Sequence, residues 1–264
     1  MALAKHISIS VLLGLFTLAA CEDPPPPPEK KPAAPTPPPA PTPAATEHAE
    51  KKPEPPPKKK LEDCPKDNKV SFDDSAFEAE VRKKLPKPDG DITKADLGKL
   101  KSLNVSQVKL KEVDVCVFPH MKNLKELFLG PGDYDDLSAI AGLTKLESLR
   151  ASINQVKDLT PLAKMSKMDR LDLGRTQVTD LSPIAELTEI SELQLDDTPV
   201  ADLGPLSKLK KLERLSIQRT KVKDVAPIKE LKGLKFLYVT GAPVDEDPMA
   251  LAPIRGNGTK VIAQ

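Results

Sequence analysis

Cysteine and histidine are the residue types in this chain best suited to chemistry, and both are scarce. The sequence contains three of each. Cys64 and His120 could supply a thiol nucleophile with a base, or two metal ligands, but no C-x-x-C, H-x-x-x-H or G-x-S-x-G spacing accompanies them. Acidic pairs such as Asp196-Asp197 lack the spacing of an EF-hand calcium loop. We therefore predict no catalytic site, metal site or cofactor, and do not expect an enzyme.

Cys64 and Cys116 have a second possible role as a structural pair. If the chain is exported to an oxidising compartment, a disulfide between them would clamp the region that precedes the repeats described below. Alternatively both remain thiols, with Cys116 buried as a small apolar side chain. The sequence leaves the two interpretations open.

Charge and aromatic content argue against a nucleic-acid-binding protein. From residue 61 onward, 32 Lys and Arg side chains stand against 33 Asp and Glu side chains, so no basic surface dominates. Aromatic residues make up 3% of the chain, which leaves few platforms for stacking bases.

The amino terminus has the pattern of an export signal. Lys5 precedes an apolar run over residues 7–20 that is too short for a transmembrane helix, and the run ends in Leu18-Ala-Ala-Cys21. This ending resembles the lipobox of bacterial lipoproteins; a chance cysteine after an ordinary signal peptide is the alternative. The resemblance implies cleavage after residue 20 and lipid attachment at Cys21. Glu22 then favours sorting to the outer membrane.

Residues 21–60 are predicted to be a disordered tether. Sixteen of the 29 prolines lie between Pro24 and Pro57, and residues 22–60 include no large apolar side chain. Such a segment cannot form a core, and clustered proline favours a semi-rigid spacer of up to roughly 100 Å. A ligand for a proline-recognition domain is the alternative.

A 22-residue repeat organises the rest of the chain. Six units without insertions carry L-x-x-L-x-L over residues 124–244, and four of them add a proline at a fixed phase, with Thr160 and Ser182 as possible helix caps. Alternation along each short strand sends one apolar set inward, so that stacked units share one core. The units begin at Leu124, Leu146, Met168, Ile190, Leu212 and Leu234.

These units resemble the internalin-like leucine-rich repeats of bacterial surface proteins. The resemblance implies an α/β repeat solenoid, a right-handed superhelix with a parallel sheet on its concave side. Asn154 keeps the asparagine that forms a buried ladder in that family, whereas threonine replaces it in the next three units. The first unit departs further, because Gly130-Pro131-Gly132 replaces its turn.

Both ends of the array are predicted to carry caps, since an open solenoid end would expose apolar side chains. Residues 61–123 contain apolar positions at helical spacing and a degenerate first repeat, and they are expected to form the amino-terminal cap. Residues 245–264 read as a short helix and a last strand at 259–262. We expect no sorting motif or effector domain beyond it.

The outward strand positions are where a partner would bind. Arginine and exposed aromatic residues are enriched at interface hot spots, and two of the chain's eight aromatic residues fall together at 236 and 238. The alternative interpretation is that these charges neutralise one another and keep the face soluble. The predicted partner-binding residues are Arg150, Arg170, Asp172, Arg175, Glu192, Gln194, Asp196, Arg214, Arg219, Phe236 and Tyr238.

These observations predict a monomeric, membrane-anchored, extracytoplasmic module of the bacterial cell envelope that binds a protein partner through its concave face. The alternative is a structural envelope lipoprotein that organises the wall or neighbouring envelope proteins without a discrete ligand. Neither hypothesis identifies the partner, because one fold supports many.

Overall fold

One strand from each repeat builds a single sheet. The computed structural model of the protein describes residues 58–87 and 89–263. The predicted signal peptide, Cys21 and the tether up to residue 57 lie outside the described residues. Eight parallel strands pair in chain order. They are β1 (Ser102–Val105), β2 (Glu126–Leu129), β3 (Ser148–Arg150), β4 (Arg170–Asp172), β5 (Glu192–Gln194), β6 (Arg214–Ser216), β7 (Phe236–Tyr238) and β8 (Lys260–Ile262).

The middle leucine of each short strand holds the sheet in register. Leu171 pairs with Leu149 on one side and with Leu193 on the other, and the same column continues through β2–β7. Every member of this column is no more than 1% exposed. A constant 22-residue period brings identical positions side by side, and the predicted α/β repeat solenoid is confirmed.

After each of the strands β2–β6 the chain returns through a short 3₁₀ turn, and an aspartate accepts a hydrogen bond from the first N–H group of that turn. Asp158 Oδ1 accepts a hydrogen bond from the Thr160 backbone N–H at 2.8 Å, and Asp180 accepts one from Ser182 at the same distance. The prediction that Thr160 and Ser182 are the caps was wrong. Both are the first residues of their turns, and the carboxylate two residues earlier reaches the free N–H group more directly.

A column of buried polar side chains runs under the loops that follow the strands. Asn154 donates to the Ala151 carbonyl at 2.7 Å and to the Tyr134 hydroxyl at 3.1 Å, and burial raises the pKa of Tyr134 to about 12. In the next three units a threonine hydroxyl donates to the carbonyl three residues earlier. These bonds are Thr176 to Leu173 at 2.8 Å, Thr198 to Leu195 at 2.6 Å and Thr220 to Ile217 at 2.7 Å.

The first repeat has its own turn geometry because the backbone of the cap approaches it closely. A Cβ atom at Gly130 would lie 2.4 Å from the Val108 carbonyl oxygen, and one at Gly132 would lie 2.2 Å from that of Leu110. Only glycine fits at these two positions, which accounts for the different sequence of this unit.

The amino-terminal end is closed by α1 (Ser75–Lys84) and α2 (Lys94–Leu97). Asp74 caps α1 by accepting from the N–H groups of Ala76 and Phe77, and the Phe77 ring stacks on Phe118 at 5.2 Å between centroids. Cys64 and Cys116 form a disulfide with their Cα atoms 5.3 Å apart. The disulfide ties the start of the described chain to the segment just before the first full repeat.

The carboxy-terminal end is closed by α3 (Pro248–Gly256) and β8. Asp247 caps α3 by accepting from the N–H groups of Met249 and Ala250 at 3.0 and 3.1 Å. Thr259 joins the cap to the last full repeat through a 2.8 Å hydrogen bond to the Leu234 carbonyl. Among the helices of the described residues, none is long and apolar enough to cross a bilayer.

Candidate protein-binding surface

Two columns of side chains face outward from the sheet, and we call them the concave columns. They flank the buried leucine column, because side chains alternate between the two faces of each strand. The register pairs Arg170 with Glu192 in the first column and Asp172 with Gln194 in the second. The first column consists of Glu126, Ser148, Arg170, Glu192, Arg214 and Phe236, and the second of Phe128, Arg150, Asp172, Gln194, Ser216 and Tyr238.

Several members of the concave columns are less exposed than their outward position suggests. Ser148 is 5% exposed and Ser216 is 6% exposed, since longer neighbours cover these short side chains. Phe236 and Tyr238 are half-buried rather than fully exposed. The most exposed side chains of the concave columns are therefore the three arginines, Arg150, Arg170 and Arg214.

Arg150 is held in place by an aromatic ring and a carboxylate. Its guanidinium carbon lies 6.0 Å from the centre of the Phe128 ring, and its Nε lies 3.0 Å from Asp172 Oδ2. The other carboxylate oxygen of Asp172 accepts from the Gly174 N–H at 3.0 Å. Phe128 and Asp172 thus position Arg150 without enclosing it.

Arg214 has a similar arrangement at the carboxy-terminal end of the face. Its guanidinium carbon lies 5.4 Å from the centre of the Phe236 ring, and its Nη1 lies 3.7 Å from Glu192 Oε1. Gln194 donates a further hydrogen bond of 3.0 Å to Glu192. Phe236 therefore also acts as a support for Arg214, a structural use that its sequence position does not reveal.

Arg170 is the least neutralised cation of the concave columns. Arg170, Glu192 and Arg214 are successive members of the first column, but of these three only Glu192 and Arg214 pair within 4.0 Å. The one carboxylate among the described residues within 4.0 Å of the Arg170 guanidinium is Asp169, at that limit. About half of the Arg170 side chain is accessible.

A row of left-handed residues forms one rim of the face. Ile153, Arg175, Asp197 and Arg219 have φ angles of 53° to 61°, and Gly241 continues the 22-residue spacing with φ 73°. Bulky side chains rarely adopt this conformation, and strain of this kind is concentrated at functional sites. Ile153, whose side chain is exposed, was not among the predicted site residues. Its position four 22-residue periods before Gly241 was a usable signal, because glycine at an equivalent position indicates a positive φ angle.

Charges on this rim form a short ladder across three repeats. Arg219 donates two hydrogen bonds to Asp197, of 2.6 and 2.7 Å, and Arg175 approaches the same carboxylate at 3.4 Å. These hydrogen bonds, chiefly those from Arg219, hold the pKa of Asp197 below its usual range. Asp196 turns away from the rim and accepts from the Ser216 hydroxyl at 2.5 Å and from the Gln218 N–H at 2.9 Å.

The residues first considered for catalysis do not form a reactive site. Cys64 is bonded to Cys116 and is therefore not a free nucleophile. Burial lowers the pKa of His120, and the nearby charges of Lys94 and Lys122 add to this effect. Among residues 58–87 and 89–263, no three His, Cys, Asp or Glu side chains come together as a group that could hold a metal ion.

Comparison with known proteins places this geometry in context. The family model described as the leucine-rich repeat of leucine-rich repeat and WD repeat-containing protein 1 matches residues 86–183, which is less than half of the chain. An internalin (InlF) from Listeria monocytogenes superposes with a TM-score of 0.59 at 29% identity, covering 63% of this chain and 49% of the internalin. The fold is a leucine-rich-repeat solenoid.

Two further structures share this fold. Internalin C2 from Listeria monocytogenes superposes with a TM-score of 0.56 at 28% identity, covering 69% of this chain and 89% of its own. A leucine-rich-repeat protein from Leptospira interrogans has a TM-score of 0.52 at 21% identity over 64% and 51% of the two chains. This chain thus spans about half the length of InlF and of the Leptospira protein. No curated protein sequence matches the chain.

These similarities favour a binding scaffold over an enzyme. The matching family and the internalins are built from leucine-rich repeats, and no enzyme family is indicated. A solenoid of stacked repeats presents an extended concave surface, which is the usual binding surface of such proteins. The fold therefore suggests a protein-binding scaffold.

Proposed function

We propose that the protein is a lipid-anchored, extracytoplasmic binding module that recognises a protein partner through the concave columns and the rim beside them. The observation that carries this proposal is the contrast between repeated and unrepeated positions. The inward column is leucine in all six units, whereas the outward columns change in every unit and include Phe128, Phe236 and Tyr238. Aromatic and arginine side chains are the types that dominate binding energy at protein interfaces.

The proposed anchor is a lipid on Cys21 that holds the solenoid to the outer membrane of a bacterial envelope. It is supported by the sequence alone, through the charged start, the short apolar run and the Leu18-Ala-Ala-Cys21 ending. A proline-rich tether after the cysteine would hold the binding face away from the bilayer. We place the protein in the cell envelope on the same grounds.

Crosslinking in intact cells tests the binding face. The double variant Arg214→Ala with Tyr238→Ala removes a cation and a phenol from one end of the concave columns. We expect it to lose a discrete crosslinked species that the unmodified protein forms. Arg255→Ala with Met249→Ala is the matched control, because it removes an arginine and an exposed apolar side chain from α3 in the carboxy-terminal cap.

The outcomes separate the two functional hypotheses. Loss of the species in the concave variant alone supports recognition of a partner by this face. If both variants keep the species, with unchanged melting curves, the concave columns are not the binding face. Binding to purified cell-wall material that survives both variants would instead favour the structural envelope protein.

The anchor is tested separately with Cys21→Ser and with protease treatment of intact cells. We expect this variant to lose incorporation of labelled palmitate and to leave the membrane fraction. Incorporation that persists in the variant would contradict the proposed anchor. Cleavage of the solenoid by added protease, while a periplasmic control survives, would show that the partner is outside the cell.

A further inference from the structure

The distribution of arginine and lysine over this molecule is uneven. The chain has seven arginines and 33 lysines, so lysine would be expected at most cationic positions. Yet five of the arginines lie on the concave columns or their rim, and no lysine occupies an outward position of β2–β7. The five are Arg150, Arg170, Arg175, Arg214 and Arg219.

Arginine differs from lysine in the anion that it recognises best. Its planar guanidinium presents a rigid fork of N–H donors that matches the two oxygens of a carboxylate, whereas an ammonium is a point charge. A face that needed only solubility could use either cation. Arginine is the only cation at the outward positions of β2–β7, and Lys260 on β8 continues the first column beyond them. The use of arginine on β2–β7 favours planar, two-point contacts, some of which are made within the chain, as between Arg219 and Asp197.

A shallow depression of about 170 Å³ lies on the concave columns around Arg150 and Arg170. It exists because Ser148, the neighbour of Arg170 in the first column, is short and buried. The depression is also lined by Phe128, Asp172, Glu192 and Gln194.

The charges around this depression are already paired, with one exception. Asp172 is paired with Arg150 at 3.0 Å, and Glu192 is paired with Arg214 at 3.7 Å and accepts from Gln194. Arg170 remains. Within the described part of the chain its one carboxylate contact is at 4.0 Å to Asp169, which does not line the depression and accepts a hydrogen bond from Ser191. The site therefore has one uncommitted guanidinium beside an apolar ring and a short hydroxyl side chain.

We propose that this depression is a receptor for a single carboxylate, an aspartate or glutamate side chain of the protein partner, bound by the guanidinium fork of Arg170. This inference rests on the proposed protein-binding function and names the chemical group of the partner that this face would bind. A monoanion fits because one positive charge is available. A phosphate dianion would place its second charge next to Asp172 and Glu192, which disfavours a phosphorylated side chain.

Nuclear magnetic resonance of arginine side chains tests the receptor directly. Full-length protein in detergent micelles, labelled with ¹⁵N-arginine, gives at most seven Nε–Hε signals, and loss of one signal in Arg170→Lys assigns Arg170. The probe is acetyl-glutamyl-amide, and its neutral isostere acetyl-glutaminyl-amide is the control ligand. Acetyl-phosphoseryl-amide tests the alternative anion.

We expect the Arg170 signal to shift saturably with the glutamyl probe and more than any other arginine signal. The glutaminyl control should bind about threefold to tenfold more weakly, since it lacks the charge-assisted hydrogen bonds. The Arg255 signal on α3 is the internal reference and should not saturate. Equal responses at Arg170 and Arg255, or no saturable shift at Arg170, would overturn the proposal.

A conservative variant separates the guanidinium fork from its charge. Arg170→Lys keeps the charge but loses the two-point contact, so the glutamyl probe, followed at the Arg150 signal, should bind about threefold more weakly. Unchanged affinity in this variant, or tighter binding of the phosphoseryl probe, would contradict the carboxylate assignment.

The titration also distinguishes failure of this inference from failure of the proposed function, because it needs no partner protein. If the Arg214 and Tyr238 double variant loses its crosslinked species but the glutamyl probe does not saturate Arg170, the proposed binding face is supported and the proposed carboxylate receptor is rejected. If the probe saturates Arg170 while the double variant crosslinks normally, the receptor stands and the assigned face is wrong.

Discussion

The two faces of each short strand carry different kinds of information. On the inner face, Leu171, Leu193 and Leu215 occupy equivalent positions and are almost completely buried. On the outer face the corresponding neighbours are Arg170, Glu192 and Arg214, which alternate in charge and do not share one pattern of contacts. The inner face repeats because the leucine of every unit packs into the same shared core. The outer face can vary because its side chains can contact water instead of a neighbouring side chain. Stability is therefore concentrated in the repeated positions and recognition in the unrepeated ones.

The largest expected difference between the two faces is seen in β5. Leu193→Asp places a charge in the apolar core, and we expect a loss of about 4 kcal/mol or more in the free energy of unfolding. Gln194→Ala, at the next residue on the outer face, should change it by less than about 0.5 kcal/mol. Thermal unfolding followed by circular dichroism measures both, and equal melting temperatures for the two variants would remove the distinction.

The two caps provide a second contrast, since the amino-terminal cap contains a disulfide and the described part of the carboxy-terminal cap does not. Cys64 and Cys116 are separated by 52 positions in the sequence. Loss of a cross-link of this length, in Cys64→Ser with Cys116→Ser, should cost about 4 kcal/mol in the chain-entropy model. Urea unfolding measures the loss, with exposed Ala252→Ser on α3 as the control. A midpoint that does not move would show that the cap is held by packing alone.

The rim offers a reciprocal test of backbone strain at equivalent positions. Gly241→Ile forces a branched side chain into the left-handed region, 3.0 Å from the Arg219 Cγ atom, and should cost about 2 kcal/mol. Ile153→Gly removes the same strain and should stabilise by about 1 kcal/mol after the added flexibility of the unfolded chain is included. Melting temperatures that move in the same direction for both variants would contradict this account of the rim.

The buried threonine column is expected to contribute modestly per unit. Thr198→Val keeps the shape but removes the 2.6 Å hydrogen bond to the Leu195 carbonyl, and we expect a loss of about 1 kcal/mol. Thr188→Val, at an exposed position in the preceding repeat, is the matched control. Chemical unfolding of the two variants gives the difference, and an equal effect at both positions would argue against a stabilising ladder.

The smallest effect is expected at the proposed carboxylate receptor. Arg170→Gln removes only a half-exposed contact at 4.0 Å, so the melting temperature should remain within experimental error. A marked drop in the melting temperature would show that Arg170 stabilises the fold, and would contradict the assignment of stability to the inner face alone.

The repeat architecture was predictable because its information is periodic. Spacing of 22 residues between leucines implies identical units, and identical units that share a core must stack in register. The positions of the strands and the buried leucine column follow from this reasoning. The outward columns follow as well, since alternation along a strand decides which side chains face away from the core.

Contacts between repeats were decided only in the tertiary structure. The repeat spacing puts Arg170, Glu192 and Arg214 at neighbouring positions. Each of these long side chains can reach more than one neighbour, and in the structure Glu192 pairs with Arg214. In the same way, Phe236 supports Arg214, because this contact depends on the distance between side chains of neighbouring strands. The amino-acid sequence alone thus determined the period, the register and the inner face of this protein. The tertiary structure decided which outer charges are paired and left Arg170 open, since pairing depends on side-chain geometry that periodicity does not specify.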